Sequence, residues 1–104
     1  MTDAADKTAA LLANLWVRIR PIVEERLATL DRAAAASKEG ELPGELRVEA
    51  ASAAHKLAGS LGMYGFDEGT RVARELEVLL DRGTPDAARL NALVTELRTT
   101  IPSA

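Results

Sequence analysis

The chain has 104 residues, no cysteine, a single histidine and a formal net charge of -3 at pH 7. Its length suits one hydrophobic core, and its charges form no basic stripe of the kind that binds nucleic acid. The lack of cysteine excludes disulfides and thiol chemistry and, with only one histidine, argues against a transition-metal site. We therefore predict one domain over residues 1–104 that binds no metal, cofactor or nucleic acid.

Hydrophobic residues make up 47% of the chain, but only one Trp, one Tyr and one Phe are present, and most of the rest are alanine, leucine and valine. Small and straight-chain aliphatic residues favour helix over strand. The N-terminal residues are acidic where a secretory signal would be basic, and no apolar run approaches the roughly 20 residues that span a bilayer. We expect an all-α protein of the cytoplasm that does not bind membranes.

The first third of the chain carries apolar residues at helical spacing on both sides of Pro21. Because proline lacks a backbone N–H and clashes with the preceding turn, this stretch should be either kinked or split at Pro21. We predict one helix over residues 4–19 and a second over 21–38, with Trp16 packing in the core or at the end of the bundle. The apolar stripe consists of Leu12, Leu15, Trp16, Ile19, Ile22, Val23, Leu27 and Leu30.

Glycine, proline and charged residues over positions 38–44 predict a loop, after which a third helix should run over 45–62. Asp67 is a suitable N-cap for the next helix, and Thr84 followed by Pro85 is a suitable start for the last one. The short connections make these helices antiparallel to their neighbours. The predicted fold is an antiparallel up-and-down four-helix bundle with an additional N-terminal helix.

His55, the one histidine, lies within the third predicted helix. At about 100° per residue, it projects roughly 135° away from the centre of the apolar face, so we expect its side chain to be exposed. Gly59 lies inside the helix one turn later, where glycine costs about 1 kcal/mol relative to alanine. Such a glycine would let another protein or a phosphoryl group approach the imidazole, although a lone surface histidine can also be without function.

The segment from about residue 50 to residue 80 resembles the histidine phosphotransfer (HPt) domain of bacterial multistep phosphorelays, and also the related phosphoacceptor domain of chemotaxis kinases. The resemblance rests on His55, Gly59, Gly62, Gly65 and Phe66. It implies a small helical bundle without an ATP site. Its histidine would accept a phosphoryl group from the aspartyl phosphate of one receiver domain and pass it to the aspartate of another. The receiver would supply a magnesium ion, a hybrid histidine kinase would be a further partner, and the protein would be a monomer.

The resemblance also implies a glutamate or glutamine on the following helix that accepts a hydrogen bond from the histidine, and the matching residue is Glu77. Residues 55 and 77 are about equally far from the turn between them, so antiparallel helices would place them side by side. Glu77 would then orient the imidazole and leave Nε2 as the nucleophile. The alternative is that Glu77 pairs with Arg74 or Arg71 on its own helix.

One position departs from the family pattern. Family members often have a lysine three residues after the histidine, close to the phosphate, whereas this chain has Ala58. Lys56 is the candidate phosphate contact, although it points about 100° to the other side of the histidine. Arg74 and Arg71 are the other cations that could take this role.

We predict that partners dock on the surface around the histidine, a small apolar patch with a polar edge. This surface consists of Val48, Ala51, Ser52, Gly59, Gly62 and Met63, with Lys56 beside it. The function expected from the sequence is that of a phosphohistidine intermediate between receiver domains. One alternative is a helical interaction module without chemistry, for which His55 and the two glycines should be inaccessible. The other is the phosphoacceptor domain of a chemotaxis-type kinase, whose chain should continue into kinase domains beyond residue 104.

Overall fold

The computed structural model describes residues 4–102, and the surroundings of side chains from residue 6 onward. These residues form four helices: α1 (Ala4–Lys38), α2 (Gly44–Met63), α3 (Asp67–Asp81) and α4 (Ala87–Thr99). Helix α1 packs against α2 and α4, and α3 packs against the same two helices. The part of the chain that the structure describes contains no strand, which confirms the predicted all-α bundle.

Helix α1 runs through Pro21 without a break, so the additional N-terminal helix predicted for residues 4–19 is the first half of α1 and not a separate element. Proline at this position leaves the carbonyl group of Val17 without its helical hydrogen bond. Pro21 is exposed and Val17 is 69% exposed, so that carbonyl lies on the solvent side of the helix. Water can satisfy it there, and the helix continues.

The first half of α1 extends beyond the rest of the bundle. Every described side chain before Trp16 is exposed. The prediction that the apolar stripe lies in the core is therefore wrong for three of its residues: Leu12 and Leu15 are each 38% exposed, and Ile22, farther along α1, is 41% exposed. Trp16 is buried at the end of the bundle, where its ring meets Tyr64 and Phe66 edge to face at centroid distances of 5.6 and 4.9 Å. Trp16 is thus a packing residue, as predicted, and it marks where α1 enters the bundle.

The core is aliphatic and draws on all four helices. Its largest fully buried side chains are Val23, Leu27, Leu30, Leu57, Leu61, Val72, Leu76, Leu80, Leu90, Leu93 and Leu97. Among the described residues, no polar or charged side chain is buried. Any chemistry that these residues perform therefore takes place on the surface of the bundle.

Two helix starts differ from the prediction by one or two residues. The N-cap of α3 is Phe66, whose carbonyl accepts the first helical hydrogen bond, so Asp67 lies in the first turn and its side chain caps nothing. The N-cap of α4 is Asp86, not Thr84, and its carboxylate accepts a hydrogen bond from the backbone N–H of Arg89 at 2.9 Å. Asp67 still favours its helix, because a carboxylate in the first turn faces the positive end of the helix dipole.

Candidate functional site

His55 lies near the middle of α2 on the face that points away from the core. Its side chain is 73% exposed, in agreement with the orientation expected from the helical spacing. The opposite face of α2 is held in place by buried residues, of which Leu57 and Leu61 are fully buried. The imidazole is therefore presented to solvent from a backbone that packing against α1 and α3 keeps fixed.

Glu77 of α3 holds the imidazole. Nδ1 of His55 lies 2.8 Å from Oε2 of Glu77, whose side chain is 28% exposed. An ionised carboxylate can only accept a hydrogen bond, so this contact assigns the ring proton to Nδ1, which donates to Glu77. Nε2 then keeps its lone pair. The structure brings the two residues together as the antiparallel arrangement of α2 and α3 predicts.

Gly59 and Gly62 follow His55 on the exposed side of α2, and the packing of the bundle requires neither of them. A Cβ atom built on Gly59 would meet no heavy atom within 4 Å, and one built on Gly62 would lie in ordinary contact with Thr70, 3.5 Å from its Oγ1. Neither glycine has a positive φ. Since nothing inside the protein demands these glycines, the clearance that they leave beside His55 faces outward.

Two other glycines have internal reasons to be glycine. A Cβ atom on Gly69 of α3 would lie 3.0 Å from both Cδ1 of Leu61 and Oγ1 of Thr100, so this position is filled by its neighbours. Gly65, in the turn between α2 and α3, has a φ of +79°, which L side chains rarely adopt. The fold of the bundle therefore requires glycine at positions 65 and 69, whereas at positions 59 and 62 glycine only leaves space at the surface.

The imidazole stands between two shallow depressions on the surface formed by α2 and α3. The first is lined by Val48, Ala51, Ser52, His55, Glu77 and Asp81. The second is lined by His55, Ala58, Gly59, Arg74, Glu77 and Val78. The first is lined by two carboxylates and no cation, whereas the second is lined by one carboxylate, Glu77, and one cationic residue, Arg74. An approaching phosphoryl group would therefore meet different charges on the two sides of the ring.

The two depressions at His55 include four of the predicted docking residues, Val48, Ala51, Ser52 and Gly59, whereas Gly62 and Met63 line neither and lie farther along α2. Exposed members of the predicted surface are Val48, Ser52, Gly59, Gly62 and Met63, with Val48 61% and Met63 74% exposed. Ala51 is only 7% exposed and belongs to the core, although it lines the first depression. Ala51 therefore offers little contact area to a partner.

Val78 is a surface residue that the sequence reasoning missed. It is 48% exposed and lines the second depression together with His55. The available signal was its spacing on α3: Val78 lies one turn after Arg74 and next to Glu77, outside the apolar face of that helix. Val48 and Val78 are thus two exposed apolar side chains beside the histidine, one in each depression.

The two remaining candidate cations lie in other surroundings. Lys56 is exposed and lines a groove between α1 and α2, and it lines neither depression beside His55. Arg71 forms ion pairs with Glu68, Glu75 and Glu96 at 3.1, 2.6 and 2.9 Å. Its hydrogen bonds and its charge lower the pKa of the Glu68 carboxyl below the ordinary value.

The described residues contain no group of three or more histidine, aspartate or glutamate side chains arranged to hold a metal ion. Nor does any helix within residues 4–102 combine the length and apolar character needed to cross a membrane.

A histidine that is exposed on the side of a four-helix bundle and held by a carboxylate of the next helix is the arrangement of a phosphotransfer domain. Comparison with protein families agrees, since the model of the Hpt domain matches residues 19–101. The chain belongs to this family, whose members have a phosphotransfer role in two-component signalling and interact with receiver domains and histidine kinases.

Among individual proteins, the chain is similar to Protein RcaC of Microchaete diplosiphon, with 31% identity over 101 residues. The similarity covers 93% of this chain but 16% of Protein RcaC, so the chain spans only a small part of that relative's length. No solved structure matches the chain. The family match begins at Ile19, so the exposed residues at the beginning of α1 lie outside the family model.

Proposed function

We propose that His55 carries a phosphoryl group between receiver domains, accepting it from the aspartyl phosphate of one receiver and passing it to the aspartate of another. The observation that carries this proposal is the 2.8 Å contact between Nδ1 of His55 and Oε2 of Glu77. It gives an exposed imidazole one defined tautomer, with Nε2 as the nucleophilic nitrogen.

The transfer needs no proton to leave the imidazole. The lone pair of Nε2 attacks phosphorus, the bond between phosphorus and the aspartyl oxygen breaks, and the aspartate leaves as a carboxylate with the bonding electron pair. The product is an imidazolium that carries the phosphoryl group on Nε2 and keeps its proton on Nδ1. Transfer to the second receiver reverses these steps with a new aspartate carboxylate as the nucleophile.

Glu77 supports this chemistry through its charge. Phosphorylation makes the ring of His55 cationic, and a carboxylate 2.8 Å from Nδ1 stabilises that cation. The same hydrogen bond orients the ring, which matters because phosphoryl transfer depends mainly on in-line positioning and charge neutralisation. Glu77 is therefore a positioning residue that acts through His55.

The receiver would dock on the surface around the histidine. Gly59 and Gly62 clear the approach, and Val48, Met63 and Val78 supply exposed apolar contact area. The patch is small, which suits a partner that must leave after each transfer. The receiver would bring its own aspartate and a magnesium ion, since this chain needs to contribute only the imidazole and its surroundings.

The test is incubation of the protein with a receiver domain that has been phosphorylated on its aspartate. We expect label on the protein that is labile in acid and stable in alkali, as a phosphoramidate is. Because His55 is the only histidine of the chain, His55→Gln should abolish this label. Addition of a second, unphosphorylated receiver should remove the label from the wild-type protein.

The control is the fold of the variant. His55 is exposed, so His55→Gln should keep the helical circular dichroism and melting temperature of the wild type. Label that persists on the folded variant, or a wild-type protein that several phosphorylated receivers fail to label, would refute the proposal.

A further inference from the structure

Family members often have a lysine three residues after the histidine that lies close to the negatively charged phosphoryl group, whereas this chain has Ala58. Ala58 is 5% exposed and lines the second depression beside His55, so this position contributes only a methyl group. A cation that replaces this lysine has to lie beside the imidazole. It also has to be without another ion pair, so that it can bind the phosphoryl group. The three candidates, Lys56, Arg71 and Arg74, differ in both respects.

Lys56 fails the first condition, and Arg71 fails both, since it also lines neither depression at His55. Lys56 is exposed, but it lines the groove between α1 and α2 and neither depression at His55. Arg71 already donates hydrogen bonds to Glu68, Glu75 and Glu96. Recruiting Arg71 to a phosphoryl group would break ion pairs both within α3 and between α3 and α4.

Arg74 satisfies both conditions. It lines the second depression together with His55 and Gly59, and its side chain is exposed. Within residues 6–102, the Arg74 side chain has no hydrogen bond or ion pair. It lies one turn before Glu77 and Val78 on α3, and its long side chain borders both the depression at His55 and a groove between α3 and α4.

The charges around the ring favour the side of Arg74. Glu77 lines both depressions, but the first adds a second carboxylate, Asp81, which repels a phosphoryl group, whereas the second adds the cationic side chain of Arg74. Gly59 lies in the second depression and leaves open space there, since a Cβ atom on it would meet nothing within 4 Å. Space and positive charge therefore coincide on one side of the imidazole.

We propose that Arg74 binds the phosphoryl group on Nε2 of His55 and takes the place of the lysine missing at position 58. This inference rests on the proposed function of His55. The guanidinium stays protonated throughout and donates N–H groups to the non-bridging oxygens, both while phosphorus is transferred and in the phosphohistidine. Arg74 is thus a catalytic residue of this site, carried by α3 and not by the helix of the histidine.

The experiment compares Arg74→Gln, Arg74→Lys and Lys56→Gln with the wild type. Arg82→Gln is the matched control, because it removes the same charge from the end of the same helix and lines neither depression at His55. One readout is the rate of transfer from a phosphorylated receiver. The other is the ³¹P NMR titration of phosphohistidine made with phosphoramidate, a small-molecule phosphoryl donor, which reports charges near phosphorus without a partner.

We expect Arg74→Gln to slow transfer about tenfold, the typical effect of losing one charge-assisted hydrogen bond. It should also raise the titration midpoint of the phosphoryl group, because the dianion loses a neighbouring cation. Arg74→Lys should recover part of both effects, and Arg82→Gln should show neither. Lys56→Gln should leave the midpoint unchanged.

Three results would overturn the role of Arg74. The first is a rate and a midpoint for Arg74→Gln that match the wild type. The second is slower transfer with an unchanged midpoint, which would place Arg74 at the receiver interface and away from the phosphorus atom. The third is a larger midpoint shift in Lys56→Gln. All three require phosphorylated His55 in the wild type, so failure to label the wild type would count against the proposed function instead.

Discussion

At the scale of single residues, Glu77 combines a hydrogen-bond acceptor with a negative charge, and two substitutions separate these properties. Glu77→Gln keeps an oxygen that accepts from Nδ1 of His55 but removes the charge, while Glu77→Ala removes both. A hydrogen bond to a charged group is worth about 1.5–3 kcal/mol, or about ten- to a hundredfold in rate. We expect Glu77→Ala to slow phosphotransfer by this amount and Glu77→Gln to slow it less, as measured by the initial rate of labelling.

The fold should tolerate both changes, because the pair is exposed on the His55 side, and exposed pairs contribute about 0–1 kcal/mol to stability. Glu68→Gln serves as a control, since it removes the same charge from α3 at a site occupied by Arg71. If Glu77→Ala transferred phosphate as fast as Glu68→Gln, the contact between His55 and Glu77 would have no part in the chemistry.

We expect Gly59 to lower the stability of the protein and to make room for a partner beside His55. Its Cβ position is empty, so Gly59→Ala should raise the free energy of unfolding by about 0.5–1 kcal/mol through helix propensity. The added methyl group would stand in the second depression beside His55. We therefore expect a more stable protein that accepts phosphate from a receiver more slowly, as measured by chemical denaturation and by the rate of labelling.

The comparison variant is Gly69→Ala on α3. There the new methyl group would crowd Leu61 and Thr100 at 3.0 Å, and overpacking of this kind costs about 1–3 kcal/mol. If Gly59→Ala raises the free energy of unfolding and Gly69→Ala lowers it, the packing of the bundle requires Gly69 but not Gly59. A Gly59→Ala variant that is both more stable and fully active would show that no partner needs the clearance.

At the scale of helices, the sequence predicts well that a helix forms and which of its faces is buried. It predicts less well where the helix begins and ends. The period of the apolar residues predicts α2 within one residue of its observed bounds, and it predicts the outward position of His55. The helix starts were less predictable, because an aspartate such as Asp67 or Asp86 can either cap a helix or occupy its first turn. Only the backbone geometry decides between these roles, and it made Asp86 the cap and Asp67 a first-turn residue.

The site was predictable to the extent that it depends on the hairpin of α2 and α3. Equal distances from the turn place residues 55 and 77 opposite each other, and the structure joins them at 2.8 Å. The exposure of the residues around His55 depends on how the two helices pack against each other, and the spacing of residues along the chain does not determine this packing. Ala51 is buried, whereas Val78 is exposed beside the histidine.

At the scale of the whole molecule, the first half of α1 differs from the other helical segments in having an apolar face that is exposed. The stripe that includes Leu12 and Leu15 has the period of a core-facing helix, yet no other helix covers its beginning. It joins the core at Trp16, and Ile22 farther along is again 41% exposed. Amphipathic spacing predicts a helix and a face, but it does not say whether a partner helix is long enough to cover that face. The shorter lengths of α2, α3 and α4 set this limit.

The bundle should therefore be independent of the beginning of α1. Deletion of residues 1–12 removes only exposed side chains among those described, leaves one helical turn before Trp16, and lies outside the family match that begins at Ile19. Exposed positions contribute little to stability, so we expect the free energy of unfolding to change by under about 0.5 kcal/mol. Labelling of His55 by a phosphorylated receiver should be unchanged.

Trp16→Ala in the full chain is the contrasting variant, since loss of a buried tryptophan costs about 3 kcal/mol. A shortened chain that melts about 4–8 °C lower, equivalent to about 1 kcal/mol, would show that the exposed segment stabilises the bundle.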